Sequence, residues 1–186
     1  MYTIFEQGSG NGIGHGLESF LTRFEEIAIE HYKDNHAKAF AFIFYDFENR
    51  DFKRIMKNQG VFAKLDRLSG NKLSIFYLHS GLKHSIERFN STLIKALGVE
   101  DEARPPCVVF CKVSDDGLKD ISVALLESAD VIHGFQELYE VIETYISGNK
   151  ESASTKYIRW VKGSLKFVSL ESIKAFVREV LKGGMF

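Results

Sequence analysis

The run Ala39–Tyr45, AFAFIFY, is apolar at seven consecutive positions and constrains the fold more than any other segment. A strand with one wet face alternates polar and apolar side chains, so a strand without polar positions must be covered on both faces. Seven residues also fall far short of the ~20 needed to span a bilayer. The run therefore predicts a central strand, and the rest of the chain must supply neighbouring strands and two layers of helix.

The sequence on either side meets that demand. Leu17, Phe20, Leu21, Phe24, Ile27 and His31 recur at helical spacing, which predicts a helix over residues 17–33 with one buried stripe. Phe52, Ile55, Phe62, Leu65 and Leu68 predict a second helix over 49–68, interrupted near Gly60, because glycine weakens a helix by about 1 kcal/mol. Lys72–Ser80, KLSIFYLHS, reads as a second strand. Leu82, Ile86, Phe89, Leu93 and Leu97 mark a third helix, with Gly98 at its C-terminal stop. Two β-type runs then flank Asp116-Gly117, the pattern of an antiparallel hairpin. A helix carrying Val131, Phe135, Leu138, Ile142 and Tyr145 follows, with Ser128 or Asp130 as its cap. Residues 147–155, SGNKESAST, read as a linker. Beyond them a small hairpin, KYIRWVKGSLKFVS, leads to a final helix capped by Ser169.

Counting the short strand YTIFE at the N-terminus, the body reads βαβαβαββα. The strand–helix–strand unit between residues 39 and 80 is expected to be a right-handed parallel crossover, and the hairpin adds antiparallel strands. The expectation is an α/β fold, a mixed sheet with helices on both faces, extended at the C-terminus by a hairpin and helix.

Both prolines and both cysteines of the chain lie in RPPCVVFCK, residues 104–112. A proline opening the strand of the last hairpin, together with FIFYDF before a helix and the order of elements, resembles the thioredoxin fold over roughly residues 17–146. The resemblance implies a cis bond before Pro106, beside the place where that family keeps its active site; Pro105 stands where another residue usually precedes it. The family's Cys-x-x-Cys follows the strand matching 39–47, but this chain has ENRDFKR there, and its first cysteine is at position 107. Thiol–disulfide exchange needs an attacking thiolate, so the chain reads as a non-redox relative. The division read from the sequence is an N-terminal strand and Gly-rich loop (1–16), a thioredoxin-like domain (17–146), a linker (147–155) and a basic hairpin–helix extension (156–186).

Cys107 and Cys111 fit neither a disulfide nor a shared metal. Four residues apart on a strand, they share a face at about 13 Å separation, whereas a disulfide needs Cα atoms within about 7 Å. Two small apolar core residues are the simpler account. The glycines at 8, 10, 12, 14 and 16 contain no G-x-G-x-x-G, and no Gly-Lys pair exists for a phosphate-binding P-loop. They read as a solvated loop, with an anion at the helix N-terminus as the alternative. The six histidines show no ligand spacing and no G-x-S-x-G elbow is present. The expectation is a chain that works without metal or cofactor.

Two groups of residues remain as candidate sites. Asp46, Glu48, Asn49, His79 and Pro106 fall at the C-terminal ends of neighbouring strands, the edge where α/β proteins bind ligands. Ordinary loop polarity, with Asn49 capping a helix, is the alternative account. A basic surface is the other candidate: Arg54 and Lys57 within the stretch 50–72, with Arg159, Trp160 and Lys162 within 156–182. Residues 1–149 carry 16 Lys and Arg against 22 Asp and Glu, whereas residues 150–186 carry 8 against 3. That split fits a tail for anionic partners or a basic piece docked on an acidic body. No signal segment opens the sequence, and a cytoplasmic location is expected.

Three functions follow as expectations. The first is a non-catalytic binding or assembly module for a protein partner or a second copy, since exposed strand edges attract partners. The second is an enzyme or small-ligand binder using the strand-end cluster near Pro106. The third is nucleic-acid binding through the two basic stretches. None involves a membrane.

Overall fold

A computed structural model describes residues 2–5, 14–33, 37–127, 131–148, 158–161 and 167–183. The elements in chain order are β1 (Tyr2–Phe5), β2 (Gly14–Gly16), α1 (Leu17–Thr22), α2 (Phe24–Lys33), β3 (Ala39–Phe44), α3 (Arg50–Ile55), α4 (Gln59–Ser69), β4 (Ser74–His79), α5 (Lys83–Ala96), β5 (Cys107–Val113), β6 (Gly117–Leu126), α6 (Val131–Ser147), β7 (Ile158–Val161), β8 (Val168–Ser169) and α7 (Leu170–Gly183). The strands form one mixed sheet in the order β2-β1-β4-β3-β5-β6-β7, with β8 also on β6. β1, β2, β3 and β4 run parallel, and β3–β5, β5–β6, β6–β7 and β6–β8 are antiparallel.

The uninterrupted apolar run occupies the middle of that order, and each of its residues is buried. Alternation along the strands assigns the rings to two layers. On one face Phe40, Phe42 and Phe44 meet α2 and α5: Phe24 packs on Phe40 and Phe42 at 6.3 and 5.8 Å, and Phe89 on Phe44 at 5.5 Å, while Phe20 of α1 packs on Phe76 of β4 at 5.4 Å. On the other face Tyr45 meets Phe52 of α3, Tyr77 stacks on Phe62 of α4 at 4.6 Å, and Phe110 stacks on Tyr145 of α6 at 4.2 Å. This is the α/β architecture with a mixed sheet, helices on both faces and a C-terminal extension of strands and helix.

Local chemistry explains the boundaries. The long helix expected over 49–68 is two helices, and the break comes at Met56–Asn58, just before Gly60. The Asn58 side chain accepts from the N–H groups of Gly60 and Val61 at 2.9 and 3.4 Å, which starts a new helix by capping it. α5 ends at Gly98 with φ of +64°, a conformation glycine adopts without cost, and Val99 N–H closes onto the Ile94 carbonyl at 3.1 Å. Ser169 caps α7, its hydroxyl accepting from Ser172 N–H at 3.1 Å. The Gly-rich stretch is not entirely loop: Gly14–Gly16 pair with β1 as an edge strand, which requires only backbone groups. Residues 6–13 of that stretch, the proposed caps Ser128 and Asp130, and linker residues 149–155 lie outside the described residues.

The C-terminal extension is fastened to the body. β7 pairs with the C-terminal half of β6 and β8 with its first two residues. Gly117 sits so close to β8 that a Cβ there would lie 2.4 Å from the Val168 carbonyl, so this glycine is required by space. Leu170, Ile173 and Val177 of α7 are buried against the layer of α1, α2 and α5, and Lys174 pairs with Glu25 of α2. Of the two accounts of the charge split, the basic piece docked on an acidic body describes these contacts.

Candidate functional site at the strand ends

The antiparallel register pairs Phe44 with Cys107, so Tyr45 and Pro106 occupy the next positions along the two strands. The Pro105–Pro106 peptide bond is cis, and the Pro106 carbonyl accepts from Leu126 N–H at 3.1 Å. Tyr45 is anchored from both ends: its hydroxyl donates to the Leu78 carbonyl at 2.7 Å, and its carbonyl accepts from Asn90 Nδ2 at 3.0 Å. Burial pushes the Tyr45 phenol pKa well above its ordinary value.

The candidate residues then part. Partial burial raises the Asp46 carboxyl pKa, and the Glu87 carboxylate on α5 adds to the effect. Glu48 receives the Lys83 ammonium at 3.1 Å, and Lys83 also lies 3.8 Å from Glu87. Glu48 therefore faces α5, and Asp46 lies near enough to that helix to feel the Glu87 charge. His79 alternates with Leu78 and falls on the same side as Tyr77, which packs on α4. Glu48 and His79 are thus directed to opposite faces of the sheet. Among the described residues no group of three His, Cys, Asp or Glu is placed to hold a metal ion.

Asn49 is a helix cap: its Oδ1 accepts from Phe52 N–H at 2.9 Å, at the first turn of α3. Removing that acceptor leaves a helix N–H unsatisfied, so Asn49→Ala is expected to lower unfolding free energy by about 1 kcal/mol, and Asn49→Asp to retain most of it. Urea denaturation of the two variants decides the matter. Equal losses in both would mean that the side chain acts in some other way.

The sulfurs are sealed in the sheet. Cys107 and Cys111 are free and fully buried, opposite Phe44 and Phe40 at the two ends of β3. Burial, reinforced by the Asp46 carboxylate, pushes the Cys107 thiol up to about 12, although the Arg104 backbone works against it. Burial raises Cys111 still further above the ordinary thiol range.

Among the described residues the basic candidates lie apart. Arg54 of α3 and Lys57 in the turn after it are exposed on the side of the sheet covered by α3, α4 and α6. Arg159 and Trp160 are neighbours on β7 and so point to opposite faces. Trp160 is half-buried, its ring stacked on Phe110 at 5.6 Å, which makes it part of the packing. Lys162 lies outside the described residues.

Sequence reasoning passed over Lys83, Glu87 and Asn90, which line up along the α5 flank of the site. Their i, i+4, i+7 spacing was a visible signal. What was missing was the knowledge that α5 runs beside residues 45–48. No protein-family model matches the chain, and no curated protein matches it.

Proposed function

We propose that the chain is a non-redox, thioredoxin-like binding module of the cytoplasm that self-associates through β7, one of the two edges of its sheet, which no further strand covers among the described residues. The family reading is supported by the strand order β1-β4-β3-β5-β6, three parallel strands followed by two antiparallel ones. The non-redox reading rests on two buried thiols whose pKa values lie far above neutrality, since only a thiolate attacks a disulfide. The α3 N-terminus, where the family carries its dithiol, holds Asn49 as a cap.

The observation that carries association is the terminal position of β7 in the strand order. Leu126 N–H bonds to Pro106 on the β5 side. Backbone groups alternate along a strand, so Val123 and Leu125 face β7, and their partners Val161 and Arg159 face β6. Ile158 and Trp160 then present N–H and C=O groups outward, the template that recruits another strand. Pairing of β7 with β7 of a second copy around a two-fold axis satisfies those groups. A strand this short yields a few hydrogen bonds worth about 1 kcal/mol each, so the dimer is weak and concentration-dependent.

Light scattering across tens to hundreds of micromolar is expected to show a monomer–dimer equilibrium. Ile158→Pro removes an outward N–H and leaves the bonds of Arg159 and Val161 intact, so this variant is expected to stay monomeric. Ile158→Val serves as the control and is expected to dimerise. A wild-type chain that stays monomeric throughout would refute the association, and turnover in an insulin-reduction assay would refute the non-redox reading. The ligand-binding alternative is weakened by the divergence of Glu48 and His79, and nucleic-acid binding by the packed Trp160.

A further inference from the structure

The surface between α4 and α6 holds a groove of about 790 Å³ that neither the strand-end cluster nor the sheet edge touches. Its floor is apolar: Leu68 of α4, with Ile132, Phe135 and Tyr139 of α6. Ile132 is 77 % exposed, the most exposed of the large apolar side chains among the described residues. Two cations stand on the α4 rim, Lys64 and Arg67, one helical turn apart. Among the described residues neither is paired with a carboxylate and no acidic side chain lines the groove. The Lys64 ammonium lies 5.4 Å from the centre of the Phe135 ring, held over the apolar floor. Gln136, the remaining lining residue, donates its amide to Glu140 at 2.9 Å.

An apolar floor that stays wet is unfavourable, and two unpaired cations beside it favour a negative charge at one end of whatever covers it. We infer that the α4–α6 groove binds a small amphiphile, an apolar chain or ring system ending in one carboxylate, with the apolar part on Ile132, Phe135 and Tyr139 and the carboxylate between Lys64 and Arg67. The volume lies within the ~300–1,000 Å³ of small-molecule sites. From Ile132 to Tyr139 the floor runs for about 10 Å, two turns of helix, which suits an acyl chain of roughly eight to ten carbons. A partner helix is the poorer fit. It docks through anchors spread over i, i+3 or i+4 and i+7, whereas α4 offers little more than one turn, Lys64 to Leu68. The inference is independent of the function proposed above, because the dimer edge is β7.

The test titrates the full chain with decanoate, decanol and decyltrimethylammonium below their micelle concentrations, following backbone amide shifts. Decanoate is expected to bind with a sub-millimolar Kd, shifting α4 and α6 residues, with decanol about tenfold weaker and the cationic amphiphile weaker again. Lys64→Gln combined with Arg67→Gln is expected to bring decanoate down to the level of decanol and leave decanol unchanged. Ile132→Asp, an exposed substitution that leaves the core untouched, is expected to abolish decanoate binding. Equal binding of decanoate and decanol, shifts centred away from α4 and α6, or capture of an acidic helical peptide without decanoate binding would each overturn the inference.

Discussion

Replacing Phe76 with alanine is expected to lower the free energy of unfolding by about 3–5 kcal/mol, a large fraction of the ~5–15 kcal/mol that holds a domain together. The ring is fully buried in β4, directly across from Phe42 in the register. It stacks on Phe42 at 5.5 Å, meets Phe40 edge-on at 5.0 Å, and touches Phe20 of α1 at 5.4 Å and His31 of α2 at 6.0 Å. Two strands and two helices therefore share one side chain. The cavity cannot collapse easily, because its walls are other large rings already packed on one another. Chemical denaturation of F76A measures the loss, with Ile132→Ala as an exposed comparison expected to change stability by less than about 0.5 kcal/mol. A loss below about 1 kcal/mol in F76A would mean that the phenylalanine layer is not the centre of the fold.

The second large effect is alkaline. Below pH 8 Cys107 is protonated in both the folded and the unfolded chain and contributes no pH dependence. Between the ordinary thiol value near 8.5 and the folded value of about 12, the unfolded chain releases a proton that the folded chain keeps. The unfolded state then binds fewer protons, so stability falls as pH rises, by roughly 1.4 kcal/mol per pH unit for a single thiol. Cys111 is displaced in the same direction, and above pH 10 the buried phenols of Tyr45 and Tyr145 add to the decline. Urea midpoints are expected to stay flat from pH 6 to 8 and to drop steeply from about pH 9. The double substitution Cys107→Ala, Cys111→Ala should flatten the fall between pH 9 and 10. A wild-type midpoint that holds constant to pH 10.5, or an unaltered slope in the double variant, would contradict the burial of these sulfurs.

The fold was legible where side chains announce their surroundings. AFAFIFY could only be a strand covered twice, and the helical stripes of α2, α5 and α6 each needed a single face of sheet to bury them. The break between α3 and α4 was legible as a break, but its position depends on Asn58 competing for the helix N–H groups, a local bond that periodicity does not register. The site was harder to read. Position along the chain brought Glu48 and His79 to the same end of the sheet, but Glu48 turns to Lys83 of α5 whereas the pleat of β4 puts His79 on the α4 side. Trp160 read as part of an exposed basic surface because sequence carries no record of Phe110 lying two strands away. The groove between α4 and α6 escaped notice for a similar reason: Lys64 and Arg67 fall within the basic stretch 50–72, and nothing local tells that Phe135 passes beneath them.

The C-terminal strands have one more consequence, for how the protein keeps out of aggregates. Without β7 and β8, the outer margin of β6 would be a ten-residue template, apolar over most of its length. The extension covers both ends of that margin and offers in its place the four residues of β7. A short margin permits a brief, reversible encounter between two molecules, whereas a long one invites strands to stack without limit. On the proposed pairing of β7 with β7, the tail would set how strongly two copies adhere, by deciding how much backbone each can offer.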